Sequence, residues 1–402
     1  MASTDIEAPY RIEPALLQAP TAAIGDVLTE LAFKAARLET SLRHPETAAS
    51  LTSVVRVMNT YYSNLIEGHN TRPRDIERAL AGDVDLDATR RNLQIEARAH
   101  VRVQAWIDEL FFRAELPDAA DPEFLRELHR RFYEGASDEM LLVTGGGREF
   151  LMHPGEWRNQ PEQDNAVGRH IPPSSEHIED FMRAFASRYR FEPLGQSAKI
   201  MAVAAAHHRF NYIHPFPDGN GRVSRLMSHA MSHHAGIGAH GLWSISRGLA
   251  RGLEDRGEYK RMMDYADSPR QNDLDGRGNL SQQALEEFTL WFLKVCLDQI
   301  TFMSSLFELD TLSRRLRRYV EQNEDKLKPE STALLEEALL RGRFDRGEIM
   351  RITGLKERSA RNVLSDLIRL GLLGSETPKA PVSLRFPTEA LDVLLPRLYV
   401  ES

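Results

Sequence analysis

The chain has 402 residues, of which 42% are hydrophobic and 27% are charged, and its formal net charge is -8 at pH 7. This length and composition predict two or three globular units, and the acidic balance argues against a protein that binds nucleic acid over its whole surface. The single cysteine, Cys296, excludes an internal disulfide framework and is typical of a reducing compartment.

The first residues, Met-Ala-Ser-Thr-Asp-Ile-Glu, have neither the basic nor the apolar region of a secretory signal. The chain also contains no run of eighteen apolar residues, the length that a membrane-spanning helix needs. We therefore expect a cytoplasmic protein without a membrane-spanning segment.

The first third of the sequence predicts a series of amphipathic helices, because hydrophobic residues recur there with helical spacing. The predicted helices cover residues 20–44, 47–67, 73–82, 89–113 and 122–134. Gly68 can end the second helix in a left-handed conformation. The predicted buried face of the fourth helix consists of Ile95, Ala99, Val103, Trp106 and Leu110.

Residues 141–173 have a different character, rich in glycine and proline, with short extended pieces between. This composition predicts turns and short strands rather than another helix. The part from 160 to 167 is polar for a rigid hairpin, so a surface loop without regular pairing stays an alternative.

Residues 197–236 predict two helices joined by a tight loop. Residues 197–213 contain many helix-favouring residues and neither Gly nor Pro, which predicts a largely buried helix. Pro215 and Pro217 cannot continue it, so the chain must leave the helix near His214. The sequence Asp-Gly-Asn-Gly at 218–221 favours a tight turn, and helical spacing resumes at Arg222.

This loop contains the groups that phosphate chemistry needs. The start of the second helix offers unpaired N–H groups and a partial positive charge to an anion. Arg222 and Arg225 lie three residues apart and share one face of that helix. Asp218 offers a hard oxygen ligand for Mg2+, and His214 can accept a proton near neutral pH. Together these groups indicate attack by a hydroxyl group on a phosphate of a magnesium-bound nucleotide.

Residues 214–225 resemble the signature of the Fic family, His-x-Phe-x-(Asp/Glu)-Gly-Asn-Gly-Arg-x-x-Arg, at every defined position. Fic enzymes typically transfer AMP from Mg-ATP to a protein hydroxyl group and release pyrophosphate. The resemblance therefore implies a Fic-type helical core, ATP and Mg2+ as cofactors, and a target protein with a Ser, Thr or Tyr hydroxyl group as partner.

The resemblance also implies a role for each residue of the signature. His214 would deprotonate the target hydroxyl, Asp218 would hold Mg2+, and Phe216 would anchor the loop in the core. Gly219, Asn220 and Gly221 would bind the α- and β-phosphates of the nucleotide. Arg222 would also contact the phosphates, and Arg225 would contact the γ-phosphate. Relatives that transfer a phosphate carry Lys in place of Gly221, so the glycine favours AMP transfer over phosphorylation.

Residues 63–68 resemble the inhibitory motif of Fic proteins, (Ser/Thr)-x-x-x-Glu-(Gly/Asn), through Ser63, Glu67 and Gly68. A carboxylate at the C-terminal end of a helix is disfavoured by the helix dipole unless a cation offsets it, so Glu67 needs a partner. In relatives the glutamate pairs with the second arginine of the signature and withholds it from the γ-phosphate. We therefore expect an inhibitory Glu67–Arg225 ion pair. In some relatives this glutamate also orients a water molecule that removes AMP from a modified target, and the sequence leaves both roles open.

In Fic proteins a β-hairpin flap covers the active site and follows a Gly-x-x-Arg element, which here is Gly155-Glu156-Trp157-Arg158. The resemblance implies a flap at about residues 158–172. An edge of this flap could pair with an extended target segment and place its hydroxyl group near His214.

Beyond the signature, residues 254–266 and 281–307 predict helices. The resemblance places Tyr259 near the nucleotide base, although a tyrosine on an amphipathic helix is usually just half-buried. His229 and His233 have a spacing that metal ligands can have, but no third ligand is recognisable, which favours ordinary helix histidines.

The last third resembles a winged helix-turn-helix. Its predicted helices cover residues 330–342, 345–353 and 357–370, and a short β-wing follows up to Phe386. Residues 341–385 contain ten Lys or Arg and five Asp or Glu, and Lys356, Arg358 and Arg361 lie near the start of the helix that would read DNA. Winged helices also serve as protein-interaction or dimerisation modules, so DNA and a second copy of the chain are both candidate partners.

The sequence thus predicts a mainly α protein in three parts: a helical region with the inhibitory motif (1–115), a Fic core with a β-hairpin flap (116–310) and a winged helix-turn-helix (328–402). The leading hypothesis is a self-inhibited protein adenylyltransferase. The alternatives are a phosphodiesterase that removes AMP with the help of Glu67, and a DNA-binding regulator whose Fic core is a switch.

Overall fold

The computed structural model describes residues 7–145, 148–164 and 166–399, which are mainly α-helical. The chain divides into two compact units, one of Met1–Ala36 and Asn59–Gln299, the other of Arg37–Met58 and Ile300–Ser402. The predicted boundary near residue 115 falls inside the first unit, and the predicted C-terminal domain lies in the second unit together with Arg37–Met58.

The N-terminal third forms the helices that the hydrophobic spacing predicts. They are α1 (Ala22–Ser41), α2 (Pro45–Ile66), α3 (Pro73–Leu80), α4 (Ala88–Phe112) and α5 (Pro122–Phe132). The carboxylates of Asp87 and Asp121 accept backbone N–H groups at the starts of α4 and α5 and so cap these helices. α2 ends as predicted, because Gly68 has a φ of 85° and the N–H of His69 donates to the carbonyl oxygen of Asn64.

The buried face of α4 differs from the predicted apolar face. Ala99 and Val103 are buried as predicted, but Ile95, Trp106 and Leu110 are only partly buried. Four polar residues at a spacing of four are also buried: Glu96, His100, Gln104 and Asp108. Their hydrogen-bond partners are, in the same order, Arg222, Thr60, Asn59 and the pair His229 and His233. Buried polar groups are tolerated when they are hydrogen-bonded, and here partners from distant helices determine which face is buried.

The glycine-rich segment contains a regular β-hairpin, but it precedes the predicted flap. After the short helix α6 (Asp138–Leu141), β1 (Leu142–Gly145) pairs with β2 (Arg148–Leu151) in antiparallel register. Among the described residues from 158 to 172, strand pairing is limited to Val167 and His170, and Pro161–Gln163 is one 3-10 turn. The predicted flap is therefore a loop with a single bridge rather than a regular hairpin, and Asn165 lies outside the described residues.

The rest of the first unit is built around a buried helix pair. α7 (Ile178–Tyr189) precedes α8 (Gln196–Ile213) and α9 (Asn220–His234), which pack against each other. α10 (Ile245–Arg251) and α11 (Glu258–Ala266) follow, and α12 (Gln282–Phe307) begins in this unit and ends in the second. The helix predicted from residue 254 thus begins four residues later, at Glu258.

Among the described residues, α12 is long and apolar enough to cross a membrane, judged by length and composition alone. However, 56% of its most apolar 18-residue window is buried inside the protein, and buried core helices of soluble proteins meet the same criterion. Cys296 lies on this helix and is buried, which raises the pKa of its thiol.

The second unit contains a helix that the sequence analysis does not predict, α13 (Leu309–Gln322). It is followed by α14 (Ser331–Arg341), β3 (Arg343–Phe344), α15 (Ile349–Thr353), α16 (Glu357–Arg369), β4 (Leu373–Gly374), β5 (Val382–Leu384) and α17 (Leu391–Leu394). The strands form an antiparallel sheet in the order β3, β5, β4. A winged helix-turn-helix stays our interpretation of this order of helices and strands.

Candidate active site

The predicted signature forms the loop between α8 and α9. His214 follows α8 in a left-handed conformation with a φ of 52°, and its N–H still donates to the carbonyl oxygen of Phe210. α9 begins directly after Gly219, which has a φ of 79°. A side-chain carbon at Gly219 would lie 2.9 Å from the hydroxyl oxygen of Tyr133, so both the backbone and the packing require glycine there.

Phe216 is fully buried and anchors the loop, as the resemblance implies. Its ring stacks on that of His129, with 3.9 Å between the ring centres, and lies 4.4 Å from that of Trp157. The N–H of Phe216 donates to the side-chain oxygen of Asn220 (2.9 Å), and the Asn220 amide donates back to the carbonyl oxygen of Phe216 (2.8 Å). The Asn220 side chain thus closes the loop, while the first N–H groups of α9 have no acceptor within the helix.

Arg158, from the Gly-x-x-Arg element, holds the other side of the loop. The buried guanidinium of Arg158 donates to the carbonyl oxygens of His214 (2.8 Å) and Ile213 (3.3 Å). The backbone N–H of Arg158 donates to the carbonyl oxygen of Pro215 (2.8 Å). The guanidinium also forms an ion pair with Asp164. These bonds restrain the backbone on both sides of His214.

The surroundings of His214 favour a neutral imidazole. Burial, the positive charge of Arg158 and the neighbouring His170 together lower the pKa of His214 to about 4. At pH 7 the ring is therefore unprotonated and can accept a proton, as a general base must.

We expect His214 to stay neutral in solution down to about pH 4. The lowered pKa means that protonation begins well below the ordinary value of 6.5, because the buried ring and the adjacent Arg158 disfavour a second positive charge. NMR titration of histidine-labelled protein, with the signal assigned through a His214→Asn variant, measures this directly. A midpoint near 6.5 for that signal would contradict the geometry described above.

Asp218 and Arg222 form the centre of a charged cluster. One carboxylate oxygen of Asp218 accepts from the Tyr133 hydroxyl (2.7 Å) and from the Arg222 guanidinium (2.7 Å). Burial opposes ionisation, but the charge of Arg222 and the hydrogen bonds outweigh it and lower the pKa of Asp218 to about 2. Because half of the side chain is exposed, an ionised oxygen donor is available to a hard cation such as Mg2+.

Arg222 is buried between two carboxylates, one of which the sequence analysis misses. Its guanidinium donates to Glu96 of α4 at 2.6 Å as well as to Asp218, and it lies over the ring of Phe132. Burial would raise the pKa of Glu96, but the charge of Arg222, with the nearby His69 ring, outweighs it and lowers this pKa. Polar residues recur at every fourth position of α4, from Glu96 to Asp108. This pattern could have indicated that one face of α4 is polar and contacts other polar groups.

The predicted ion pair between Glu67 and Arg225 is present. The Glu67 Oε1 atom lies 2.6 Å from the Arg225 Nη2 atom. Arg225 also donates to the hydroxyl oxygen of Ser63 (2.9 Å) and to its carbonyl oxygen (3.3 Å). The Arg225 side chain is 1% exposed and that of Glu67 is 31% exposed. The arginine is therefore almost completely shielded from water where it contacts Ser63 and Glu67.

Gly221 leaves the space that the Glu67 carboxylate occupies. A side-chain carbon at this position would lie 2.5 Å from the Glu67 Oε1 atom and 3.1 Å from the Arg225 Nη1 atom. Glu67 therefore lies against the first turn of α9, where the resemblance places the nucleotide phosphates.

Tyr259 lies close to the Glu67–Arg225 ion pair. Its hydroxyl oxygen is 2.8 Å from the His207 Nε2 atom, and burial raises the pKa of Tyr259 to about 12 despite the nearby charge of Arg225. A contact between Tyr259 and a nucleotide base stays a prediction.

A cavity of about 410 Å³ opens beside the charged cluster. Its walls include Glu67, His69, Glu96, Asp218 and Arg222. This volume is in the range of small-molecule sites, and its position allows a ligand to reach both the Asp218 carboxylate and the start of α9.

Comparison with known proteins identifies a family for this part of the chain. Residues 119–232 match the model of the Fic/DOC family. The chain is 36% identical over 85 residues to "Protein adenylyltransferase Fic" of Nematostella vectensis and 37% identical over 70 residues to that of Drosophila erecta. These matches cover 21% and 17% of this chain, and only 20% and 14% of the two relatives.

Solved structures show the same fold. A Fic family protein from Desulfovibrio desulfuricans superimposes with a TM-score of 0.53 at 16% identity, over 92% of this chain and 98% of that one. A Fic domain containing signaling protein from Bacteroides thetaiotaomicron superimposes with a TM-score of 0.50 at 18% identity, over 71% of this chain and 96% of that one. At such low identity the likeness concerns the fold alone. The comparisons thus show a domain similar to the Fic/DOC family at residues 119–232 of this chain.

Proposed function

We propose that the protein is a self-inhibited protein adenylyltransferase, which transfers AMP from Mg-ATP to a hydroxyl side chain of a target protein. The observation that carries the proposal is one loop that brings His214, Asp218 and the start of α9 together, with Arg225 of α9 paired with Glu67. The names of the partly matching curated relatives support the class of reaction.

In the proposed reaction His214 accepts the proton of the target hydroxyl group. The hydroxyl oxygen then bonds to the α-phosphorus, and the bond from this phosphorus to the pyrophosphate oxygen breaks. The N–H groups at the start of α9 and the Arg222 guanidinium would bind the phosphate oxygens. Asp218 is the residue that would hold Mg2+, which when bound neutralises phosphate charge.

Glu67 would inhibit this reaction by occupying Arg225. The γ-phosphate of ATP needs a cation near the start of α9, and the Arg225 guanidinium is already bonded to Glu67 and Ser63. The Glu67 carboxylate also adds a negative charge where the phosphates would bind, so ATP would bind poorly or in an unproductive position.

The test of the reaction class uses ATP labelled at either the α- or the γ-phosphate, incubated with cell lysate and the Glu67→Gly variant. The proposal expects protein labelling from the α-position alone. Labelling from the γ-position would indicate a kinase, and no labelling from either position would favour a regulator without transfer activity.

We expect Asp218→Asn in the Glu67→Gly background to raise the Mg2+ concentration needed for half-maximal AMP transfer. The amide keeps the shape and an oxygen acceptor for Arg222 but loses the charge that attracts the cation, so an increase of about 10- to 100-fold is expected. Asp255→Asn serves as the matched control, since Asp255 pairs with Arg261 on the surface. Equal Mg2+ dependence of the two variants would remove Asp218 as the metal ligand.

Removal of AMP from a modified target is a second candidate activity of the same site. The Glu67 carboxylate lines the cavity beside Asp218 and is partly exposed, so it can reach a water molecule there. Incubation of an AMP-modified protein with wild type and with Glu67→Gly decides this point, because a hydrolytic role requires AMP release by the wild type alone.

DNA binding by the C-terminal unit is a separate proposal with weaker support. Lys356 and Arg358 are exposed at the start of α16, as a DNA-reading helix requires. However, Arg341, Arg351 and Arg361 form ion pairs with glutamates of the same unit, which reduces the positive field. Fluorescence anisotropy with labelled duplex DNA, on wild type and on a Lys356→Ala, Arg358→Ala double variant at two salt concentrations, tests this proposal.

A further inference from the structure

One carboxylate and two imidazoles form a buried cluster outside the proposed active site. Asp108 lies near the C-terminal end of α4, and His229 and His233 lie one turn apart on α9. The three side chains are 1%, 7% and 0% exposed. None of these groups has a role in the reaction proposed above.

The ligand atoms of the three residues converge. The Nε2 atoms of His229 and His233 lie 2.6 and 2.9 Å from the same Asp108 oxygen and 3.2 Å from each other. Two N–H groups directed at one oxygen would crowd each other at this separation. Tetrahedral Zn2+ with ligands at about 2.0–2.1 Å holds its ligand atoms about 3.3 Å apart, so the three atoms would have to move apart by up to about 0.7 Å to form one face of such a site.

We propose that Asp108, His229 and His233 bind a divalent transition metal ion, with Zn2+ as the best fit. Two imidazoles and one carboxylate are a donor set that Zn2+ favours, whereas Mg2+ and Ca2+ favour oxygen ligands alone. The metal site proposed here is distinct from the Mg2+ site at Asp218.

The surroundings restrict His233 to one orientation. The ring of Phe111 stacks on it, with 4.4 Å between the ring centres, and its Nδ1 atom is buried without a hydrogen-bond partner among the described residues. A side-chain carbon at Gly238 would lie 2.5 Å from this Nδ1 atom, so the glycine lets the backbone close over the ring. The Nε2 atom is therefore the nitrogen through which His233 can bind a metal.

A water molecule would take the fourth position, as in zinc sites with three protein ligands. His240, in the segment after α9, is half-buried, and its ring lies 6.4 Å from that of Phe111, the residue that stacks on His233.

The metal would join α4 to α9 a second time. The Glu96–Arg222 ion pair already joins these two helices. Glu96 lies twelve residues before Asp108 on α4, and Arg222 lies eleven residues before His233 on α9. Because α9 also carries Arg225, a metal at its C-terminal end would help to hold the phosphate-binding start of this helix in place. The inferred role is therefore structural, with an indirect effect on the active site.

The test measures metal content and needs no enzymatic activity. Protein without an affinity tag is treated with a chelator, re-equilibrated with Zn2+, freed of unbound metal and analysed by mass spectrometry. We expect one zinc per wild-type chain and a higher midpoint of thermal unfolding with Zn2+ than without it. Co2+ as a spectroscopic probe should give the visible absorption of tetrahedral coordination.

The matched variants are His229→Gln, which removes a ligand, and His234→Gln, which changes a neighbouring histidine that bonds to the carbonyl oxygen of Pro117 instead. Loss of a ligand should weaken Zn2+ binding by at least about 100-fold, since even loss of an outer partner costs about 10- to 100-fold. His234→Gln should bind as wild type does. Wild-type protein that retains neither zinc nor cobalt, or equal retention by His229→Gln and wild type, would overturn the proposal. The wild-type measurement decides the question even if His229→Gln does not fold.

Discussion

Replacement of Glu67 by glycine should raise the rate of AMP transfer by about 10- to 100-fold, because a charge-assisted hydrogen bond of this kind contributes about 1.5–3 kcal/mol. In the wild type the Arg225 guanidinium is bonded to Glu67 at 2.6 Å and is almost fully buried. The variant frees one side of this guanidinium and removes a negative charge from the start of α9. The rate of incorporation of α-labelled AMP into protein measures the effect.

Two further variants separate release of Arg225 from general loosening of α2. Glu67→Gln keeps the size and one acceptor oxygen but not the charge, so it should give an intermediate rate. Ser63→Ala removes an uncharged acceptor of the same arginine and should have a smaller effect than either change at Glu67. If Glu67→Gly binds ATP normally but is no faster than wild type, the inhibitory role of the ion pair is wrong.

Loss of His214 should nearly abolish AMP transfer. In the Glu67→Gly background we expect a fall of about 10²- to 10⁴-fold, the contribution typical of a general base. Asparagine is the better replacement, because His214 has a left-handed backbone conformation that asparagine tolerates more readily than alanine. The expected result is a rate defect at saturating ATP with little change in ATP binding.

Nucleotide binding provides the control for His214→Asn. Arg158 holds this loop through backbone carbonyl oxygens, one of them that of His214 itself. The substitution therefore leaves these contacts in place, and the unfolding midpoint should change little. A variant that binds ATP normally and retains more than about a tenth of the rate would assign the proton transfer to another group.

The sequence predicts the signature loop well because its geometry is local. Pro215 and Pro217 end one helix, and Gly219 accepts the positive φ that the next helix start requires, so neighbouring residues are enough to predict the turn, although Arg158 and Tyr133 also hold it. The same holds for Gly68 at the end of α2. The ion pair between Glu67 and Arg225 joins residues 158 positions apart, and only the family resemblance could predict it.

The features that the sequence does not predict concern contacts between distant segments. The buried polar face of α4 depends on Asn59, Thr60 and Arg222, none of which is near α4 in the sequence. For the same reason the third member of the histidine cluster was not recognised, since Asp108 lies 121 residues before His229. Strand pairing around residues 158–172 likewise depends on which backbone groups meet in space, which composition does not specify.

The packing of Glu67 against Gly221 links the residue at position 221 to the Glu67–Arg225 ion pair. Any side chain at position 221 needs the space of the Glu67 carboxylate, and this carboxylate, at the end of a flexible side chain, is the part that can move. A substitution there would therefore disturb the Glu67–Arg225 ion pair as well as the start of α9. Under the proposed function, a lysine at position 221 could not change the transferred group without also removing the inhibition by Glu67.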